Sequence, residues 1–385
     1  MRKIKHIVCL LLVSSLLTGC WDLRENERMF YVMGVGVDYK DGMYEVYLQI
    51  ISFVNVAKSE QVNQDVIQAE VSSAKGKTFT EAIFKLYHSL DEELYWGHLT
   101  FFIVTDNVMK KDHIDSVLNT LTQHTDTRYQ TWVFCTDEPL EEFLLAVPLL
   151  KRSITLTSLS DPKNSFVQES YIEPISMREL IIQINEPSYD VKIPYVTMKK
   201  DWETEKGPDQ SVNMSGVGII SPEDFKGFIK GEKANGLKWL SHETLRTQIT
   251  SKIVGSEDNN YLTVVLKNTS VQVDPIVQGN DVQFDITLHA SLSLNSNTDT
   301  VSSKEMEDTV KKVVKEEILT TFKEGLDRNA DVYRLGEVLY RKGVKEWKRL
   351  RENGEIPLNE NSIRNINIFI DNFDSGRKSF ESTVE

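Results

Sequence analysis

The amino-acid sequence predicts an α+β protein of more than one domain, with mixed, largely antiparallel sheets and packed helices. Along the chain, the hydrophobic period changes repeatedly between about two residues, typical of strands, and about 3.6, typical of helices. Turn signals join several strand-like runs into hairpins. The length of 385 residues corresponds to roughly two or three domains. With 40% hydrophobic and 26% charged residues, the composition is that of a globular chain.

The first part of the chain, residues 20–200, interleaves strands with helices. Two β-rich runs, 30–38 and 44–53, flank the tight-turn dipeptide Asp41-Gly42 and predict a hairpin. The other predicted elements are strands at 66–72, 98–104 and 129–135 and helices at 78–90, 106–123, 139–147 and 176–184. Together they predict an N-terminal α+β domain.

A boundary is expected after this region, because residues 199–210 are polar and contain Gly207-Pro208, a loop signal. Beyond it, strands are predicted at 212–220 and 225–229 and a short helix at 232–240. We therefore predict a small middle domain or insert over residues 201–250.

Residues 251–376 predict a C-terminal α+β domain. Residues 281–294 alternate strictly between apolar and polar side chains, which is typical of a long half-buried strand. Residues 303–326 carry an apolar stripe at helical spacing. Strands at 261–267, 270–273 and 363–371 and more helix at 331–350, with Gly343 as a possible break, complete the prediction. The tail 377–385 is polar and is expected to be loose.

The first 19 residues have the pattern of a cleaved secretory signal. A cationic head precedes an apolar run of about eleven residues, which is too short for a bilayer that needs about 20. The run ends in Leu17-Thr18-Gly19-Cys20, which resembles the bacterial lipobox. The resemblance implies that the Cys20 thiol receives a diacylglycerol and becomes the mature N-terminus. The alternative is an ordinary signal peptide with a cysteine near its cleavage site.

Composition and motifs argue against several functional classes. The formal net charge of −14 disfavours nonspecific nucleic-acid binding, which needs a basic face. The sequence has no nucleophile elbow, P-loop, H-E-x-x-H or C-x-x-C motif, and its histidines show no metal-ligand spacing. We therefore predict no enzyme activity, no cofactor and no metal site. His98, at the start of an apolar strand, is a candidate for a structural or a functional role.

The residues after the lipobox resemble a known family. Cys20-Trp21-Asp22, the pair Arg24-Glu25 and then Gly36-Val37-Asp38 are similar to the opening of the GerC-type, or Ger(x)C, spore germination lipoproteins. Further similarity lies in Trp96-Gly97-His98-Leu99, Ser215-Gly216-Val217-Gly218 and the segment 339–348. The similarity covers essentially the whole chain in order, and Gly343 departs from the residues that the family often has there.

The resemblance implies a non-enzymatic C subunit of a nutrient germinant receptor, beside two integral membrane subunits of A and B type. It implies a lipid-anchored ectodomain on the extracytoplasmic face of the cytoplasmic membrane, which in the spore is the inner membrane. Trp21, Asp22, Arg24 and Glu25 are then candidates for a membrane-proximal interface, since an indole is favoured in the interfacial layer. Alternatively, this segment packs on the first domain.

Two other functions fit a lipid-anchored ectodomain. A solute-binding lipoprotein of a transporter would agree with the length and the acidity, but it should show repeated βα units in two similar lobes. Hairpins and long alternating strands dominate here. A cell-envelope enzyme, such as a peptidoglycan hydrolase, would need a catalytic constellation that the sequence does not contain.

Overall fold

The computed structural model describes residues 4, 6, 29–51, 69–123, 126–205, 207–221, 224–253, 261–294 and 303–374. Apart from residues 4 and 6, the predicted signal peptide and the lipobox therefore lie outside the described residues. The same holds for the tail 377–385 and for the candidate residues Leu17, Thr18, Gly19, Cys20, Trp21, Asp22, Arg24 and Glu25. Within the described ranges, no helix has both the length and the apolar composition needed to cross a membrane.

The described residues form two sheets, and the larger one has ten strands. These strands are β1 Met29–Lys40, β2 Met43–Ile51, β3 Glu70–Gly76, β4 Glu93–Tyr95, β5 Phe101–Thr105, β6 Trp132–Thr136, β7 Ile175–Ser176, β8 Val191–Thr204, β9 Gly207–Ile220 and β10 Phe225–Lys230. Their main order is β10-β9-β8-β6-β5-β1-β2-β3. The neighbours β1, β5, β6 and β8 are parallel, whereas the outer pairs are antiparallel.

Helices cover both faces of this first sheet. They are α1 Phe79–Tyr87, α2 Lys111–Gln123, α3 Leu140–Leu144, α4 Pro162–Gln168 and α5 Met177–Ile184, with 3₁₀ helices at Leu149–Lys151 and Ile154–Leu156. Helices α1, α2 and α5 bury one face, and α3 buries part of the other. All five residues of β5 are consequently buried, which explains why its sequence is a continuous apolar run rather than an alternating one.

The second sheet has four strands in the order β11-β12-β13-β14. They are β11 Arg246–Lys252, β12 Tyr261–Gln278, β13 Asp281–Leu294 and β14 Ile363–Asp374. A 3₁₀ helix at Gly231–Leu240 precedes this sheet, and helices α6 Ser303–Leu326, α7 Leu335–Lys342 and α8 Val344–Leu350 follow within the same half of the chain. Only the last pair of strands, β13 and β14, is parallel in this described sheet. The α+β prediction is confirmed.

The core of the second half joins α6 to the inner face of this sheet. Val310, Val314 and Ile318 repeat every four residues and are all fully buried, since such residues share one helix face. They belong to the same apolar cluster as Phe284 and Ile286 of β13. Both the helix 303–326 and the strand 281–294 have the predicted bounds. The predicted helix at 331–350 is two helices, α7 and α8, with the break at Gly343.

The predicted loop over 199–210 is wrong. Strands β8 and β9 pair through it as one long hairpin, as far as Thr204 and Gly207. The parallel neighbour β6 ends at Thr136, and residues 199–204 of β8 are all exposed. The segment is polar because this ribbon extends beyond the rest of the sheet and meets water on both faces.

Strands β9 and β10 belong to the first sheet, although they fall in the region 201–250 where we predicted a small middle domain or insert. The division into 20–200, 201–250 and 251–376 stays a prediction.

The bounds of some elements differ from the predicted ones. Helix α2 begins at Lys111 rather than near residue 106, β3 lies at Glu70–Gly76, and α4 was not predicted.

Candidate functional site

His98 lies in the turn between β4 and β5, beside the start of β1. Its ring meets Tyr31 edge-on at 5.2 Å between centroids and Tyr95 at 5.8 Å. Burial, and then the nearby Arg128 cation, lower the pKa of His98. An imidazole packed against two tyrosines suits a structural role, and the choice between a structural and a functional role stays a prediction.

Asp38 ends the family-like triplet at 36–38 and is buried at the carboxyl end of β1. Its Oδ1 accepts hydrogen bonds from Thr105 Oγ1 at 2.6 Å and from the Tyr39 N–H at 2.8 Å, and Lys40 Nζ lies 2.7 Å from Oδ2. Burial alone would raise the pKa of Asp38, but these donors outweigh it and the pKa is lowered. The carboxylate ties β1 to β5.

The two halves of the chain meet at a polar contact region that we call the joint. One side consists of the residues leading into β8 together with β10. The other side consists of the turn between α6 and α7, helix α8 and the loop after it. The residues that make the contacts are Ser188, Asp190, Lys192 and Lys226 on the first side and Asn329, Asp331, Val332, Trp347, Gly354 and Glu355 on the second.

A lysine and an aspartate form the centre of the joint. Lys226 Nζ lies 3.1 Å from one carboxylate oxygen of Asp190 and 3.2 Å from the other. The ammonium also donates to Asn329 O at 2.6 Å and to Glu355 at 3.0 Å. Burial opposes the charge of Lys226, but the carboxylates of Asp190 and Glu355 outweigh it and its pKa is raised.

Backbone hydrogen bonds complete this centre. The Asp331 N–H donates to Asp190 Oδ2 at 2.6 Å, and the Asp331 carboxylate accepts from the Gly336 N–H at 2.7 Å. Burial raises the pKa of Asp331 despite this donor. The Asp190 carboxylate thus holds the residue before β8 to the turn before α7, and the Asp331 carboxylate fixes that turn to the start of α7.

Trp347 closes the joint from α8. Its side chain is 4% exposed, and its Nε1–H donates to Ser188 Oγ at 2.7 Å. Ser188 Oγ in turn donates to Gly354 O at 2.8 Å. Because each donor in this series of hydrogen bonds has an acceptor, the indole can be buried across the joint without an unpaired N–H.

Two cavities flank the joint. The first, of about 230 Å³, is lined by the segment 171–175, by α5, by the end of the 3₁₀ helix 231–240, and by Lys192, Val217 and Val332–Arg334. The second, of about 340 Å³, is lined by residues of the turn after α6 and by Ser188, Asp190 and Glu355. The joint is therefore a contact between the halves with a cleft on each side.

The first cavity contains an unusual lysine. Lys192 Nζ donates to Val332 O at 3.0 Å, and burial, followed by the Arg334 cation, lowers the pKa of Lys192 to about 8. An ammonium has three donors, and Val332 O is the one acceptor that the described residues give it.

The family-like segments contribute to this region. Val217, from the segment 215–218, lines the first cavity, and Trp347 lies in the segment 339–348. Gly216 and Gly218 allow close packing around β9. A Cβ on Gly216 would clash with the carbonyl oxygen of Ile229, and one on Gly218 would lie 2.6 Å from Met109 Cε and 2.8 Å from Cys135 Sγ.

We expect Gly218→Val to lower the free energy of unfolding by about 1–3 kcal/mol, because the added side chain overpacks a filled core. Urea unfolding against Gly279→Ala tests this. The control glycine lies in an open turn at φ +61°, where a Cβ would have no heavy atom within 4 Å, so its cost of about 1 kcal/mol comes from the backbone alone. Equal loss in Gly218→Ala would show that the first added carbon already causes the clash, and no loss in Gly218→Val would contradict the packing argument.

In the ranges that the structure covers, no three His, Cys, Asp or Glu side chains are grouped to hold a metal ion. Cys135 is a buried free thiol whose pKa is raised by burial, which disfavours the reactive thiolate.

Sequence reasoning did not find the joint. Asp190 and Lys226 are separated by 36 residues, and Asp190 and Asp331 by 141, so no local motif connects them. The one local signal was Lys192, a lysine within the apolar run Val191-Lys192-Ile193-Pro194-Tyr195-Val196. A charged residue in such a strand needs a partner or a cavity.

Comparison with known proteins identifies the family. The chain matches the model "Spore germination protein N-terminal domain" over residues 22–198 and the model "Spore germination B3/GerAC like, C-terminal" over residues 215–380. The spore germination protein KC of Bacillus subtilis (strain 168) is 22% identical over 375 residues, covering 91% of this chain and 90% of the relative. Spore germination protein B3 of the same organism is 21% identical over 279 residues, covering 71% and 69%.

The fold has a counterpart among solved structures. The crystal structure of the GerBC protein superposes with a TM-score of 0.54 at 15% sequence identity, covering 89% of this chain and 96% of the other. The two family models follow one another in order and leave few residues unmatched between 22 and 380. The chain therefore belongs to the Ger(x)C family of spore germination proteins.

Proposed function

We propose that this chain is the C subunit of a spore nutrient germinant receptor, acting as a non-enzymatic scaffold and signalling partner of integral membrane subunits of A and B type. The observation that carries the proposal is the match of both family models, in order, over nearly the whole chain. Relatives matched over most of their length are named spore germination proteins.

We further propose that the protein is anchored by a diacylglycerol on Cys20, on the extracytoplasmic face of the spore inner membrane. The signal pattern and the lipobox-like residues 17–20 support this. Two acyl chains, at about 0.8 kcal/mol per buried methylene, anchor a protein stably. Eight residues separate Cys20 from Met29, where β1 begins, and the nine Cα-to-Cα steps reach at most about 30 Å.

We propose that the start of β1, with Tyr31 and His98, faces the membrane, because the connection to the anchor is short. The β8–β9 hairpin extends from the opposite, carboxyl end of the parallel strands. Trp21, Asp22, Arg24 and Glu25 would occupy the connection and meet the membrane partners or the interfacial layer. Tethering raises the effective concentration of the ectodomain beside those partners.

The experiment that tests the proposal is Cys20→Ala, expressed at the native level. We expect the variant to be lost from the membrane fraction and the spores to lose nutrient-triggered germination, since anchoring would fail. Cys9→Ala is the matched control, because it removes a cysteine from the apolar signal run and leaves the lipobox-like residues intact. Membrane fractionation and germination of the same spores are measured together.

Membrane retention tests the lipid anchor, and germination tests the receptor role. Normal germination with the protein shed from the membrane would contradict the role of tethering. Normal germination after deletion of the whole chain, tested against a range of nutrients, would contradict the receptor role itself.

A further inference from the structure

The first cavity beside the joint has the features of a small-molecule site. Its volume is about 230 Å³, below the roughly 300–1,000 Å³ of sites for drug-sized ligands, so an occupant would be a small metabolite. Its wall is mixed. Apolar side chains, among them Ile172, Val217 and Leu237, lie beside three cations, Lys192, Lys238 and Arg334, and three acids, Glu173, Glu179 and Glu243. Ligand sites combine an apolar surface with a few placed polar groups, so the question is which of these charges is free to bind.

In the described part of the chain, Lys192 makes no direct ion pair, although the carboxylates of Glu173, Asp331 and Asp190 act on its charge from beyond contact distance. Among the described residues, no carboxylate oxygen is found within ion-pair distance of its Nζ, and Val332 O is its single acceptor. The other lining cations are already paired. Lys238 lies 3.3 Å from Glu317, and Arg334 lies 2.6 Å from Glu337. Lys192 thus differs from the other cations of the wall.

The acids of the wall limit what can bind. Glu179 is used as the capping box of α5 together with Ser176. Glu173 accepts a hydrogen bond from Ser241 Oγ at 2.6 Å and, with Glu243, adds negative charge to the lining. A second carboxylate on a ligand would meet these acids, and like charges in a partly dry site repel each other.

We propose that this cavity is a binding site for a small organic monocarboxylate. The carboxylate accepts from the donors of Lys192 that the protein leaves unused, and the apolar part contacts Ile172, Val217 and Leu237. An occupant would touch β8 and β9 of the first sheet and the turn before α7 at once, so binding would strengthen the contact between the two halves. The inference goes beyond the proposed receptor role and does not depend on it.

The test uses the full chain in detergent and three probes of similar size, namely butyrate, succinate and butyramide. Ligand-observed NMR titration should give a dissociation constant on the order of 1 mM for butyrate, an affinity in keeping with so small a molecule. Succinate and butyramide should each bind about tenfold more weakly. Succinate brings a second negative charge, and butyramide brings no charge for Lys192 to pair with.

Three variants locate the binding. Lys192→Met removes the ammonium and Leu237→Trp fills the cavity, and both should abolish butyrate binding. Lys199→Met removes an exposed lysine of the same strand and should leave binding unchanged. If neither cavity variant folds, chemical protection of Lys192 in the wild-type chain is the test. Butyrate should slow acetylation of Lys192 by acetic anhydride, as measured by mass spectrometry, without slowing acetylation of Lys199.

Any of four results would overturn the proposal. The wild type does not bind butyrate, folded Lys192→Met still binds it, butyramide or succinate binds as tightly as butyrate, or butyrate does not protect Lys192 from acetylation. Because the assay measures binding rather than germination, its failure leaves the receptor proposal standing, and failure of the receptor proposal leaves this assay valid.

Discussion

Replacement of Lys226 by methionine is expected to lower the free energy of unfolding by about 3–5 kcal/mol, the cost of breaking a buried ion pair. The Lys226 side chain is 14% exposed and that of Asp190 is 4% exposed. Without the ammonium, Asp190 would keep one hydrogen bond, from the Asp331 N–H, and would otherwise be a buried carboxylate with no cation beside it. Removing one charge therefore costs far more than the pair contributes as a whole.

Urea unfolding of the variant should be compared with Lys311→Met. Lys311 pairs with Glu307 at 2.6 Å on the exposed side of α6, where both side chains are more than a third exposed. Such a pair contributes about 0.3–0.5 kcal/mol, and lysine and methionine have similar helix propensities.

The double variant Lys226→Met with Asp190→Asn should regain part of the lost stability, because it removes the charge that the single variant leaves unpaired. A loss below about 1 kcal/mol in Lys226→Met would mean that solvent already screens this pair. A further loss in the double variant would mean that Asp190 stabilises the joint through the Asp331 N–H even without Lys226.

The elements predicted correctly from the sequence are those whose conformation depends on interactions between residues close together in the chain. Strand β13 and helix α6 were predicted with their observed bounds because each buries a single face, and the apolar period records that face directly. The β1–β2 hairpin was predicted for a similar reason. Asp41 and Gly42 adopt the positive φ values of 52° and 75° that a tight hairpin turn requires.

The errors concern segments whose environment is set by distant parts of the chain. Residues 199–204 form a strand, but they lack the buried face that a strand pattern depends on. Helix α4 is short and carries one buried residue, Pro162, so it has no periodic stripe. A proline at the first helical position after Asp161 was the signal available there.

The joint could not be predicted because it depends on tertiary contacts between groups that carry no local signature. Asp190, Lys226 and Asp331 are ordinary charged residues in the sequence, and only the packing of the two halves makes them buried partners. The family-like glycines and Trp347 were visible as a resemblance, but their physical roles required the structure. Two of the family-like segments, 215–218 and 339–348, lie at the joint or at the cleft beside it, next to the residues that the sequence did not reveal.

Trp347→Ala is expected to lower the free energy of unfolding by about 3–5 kcal/mol, as for other buried tryptophans. The indole is 4% exposed, packs edge-on against Tyr340 at 5.0 Å between ring centroids and lies 4.7 Å from the Arg351 guanidinium. Its loss also leaves Ser188 Oγ without the donor at 2.7 Å, which adds about 1 kcal/mol if water does not replace it.

The matched control is Trp202→Ala on the β8–β9 hairpin. Trp202 is 54% exposed, so its removal should change stability by no more than about 0.5 kcal/mol. Urea unfolding gives both values, and hydrogen exchange should show faster opening of residues 187–192 and 344–356 in Trp347→Ala alone. If those segments exchange as in the wild type, Trp347 stabilises only the C-terminal half and the joint is held by the Lys226–Asp190 pair. If they open while the core of β13 and α6 stays protected, the two halves separate before they unfold, which is the behaviour expected of a joint that could transmit a signal between them.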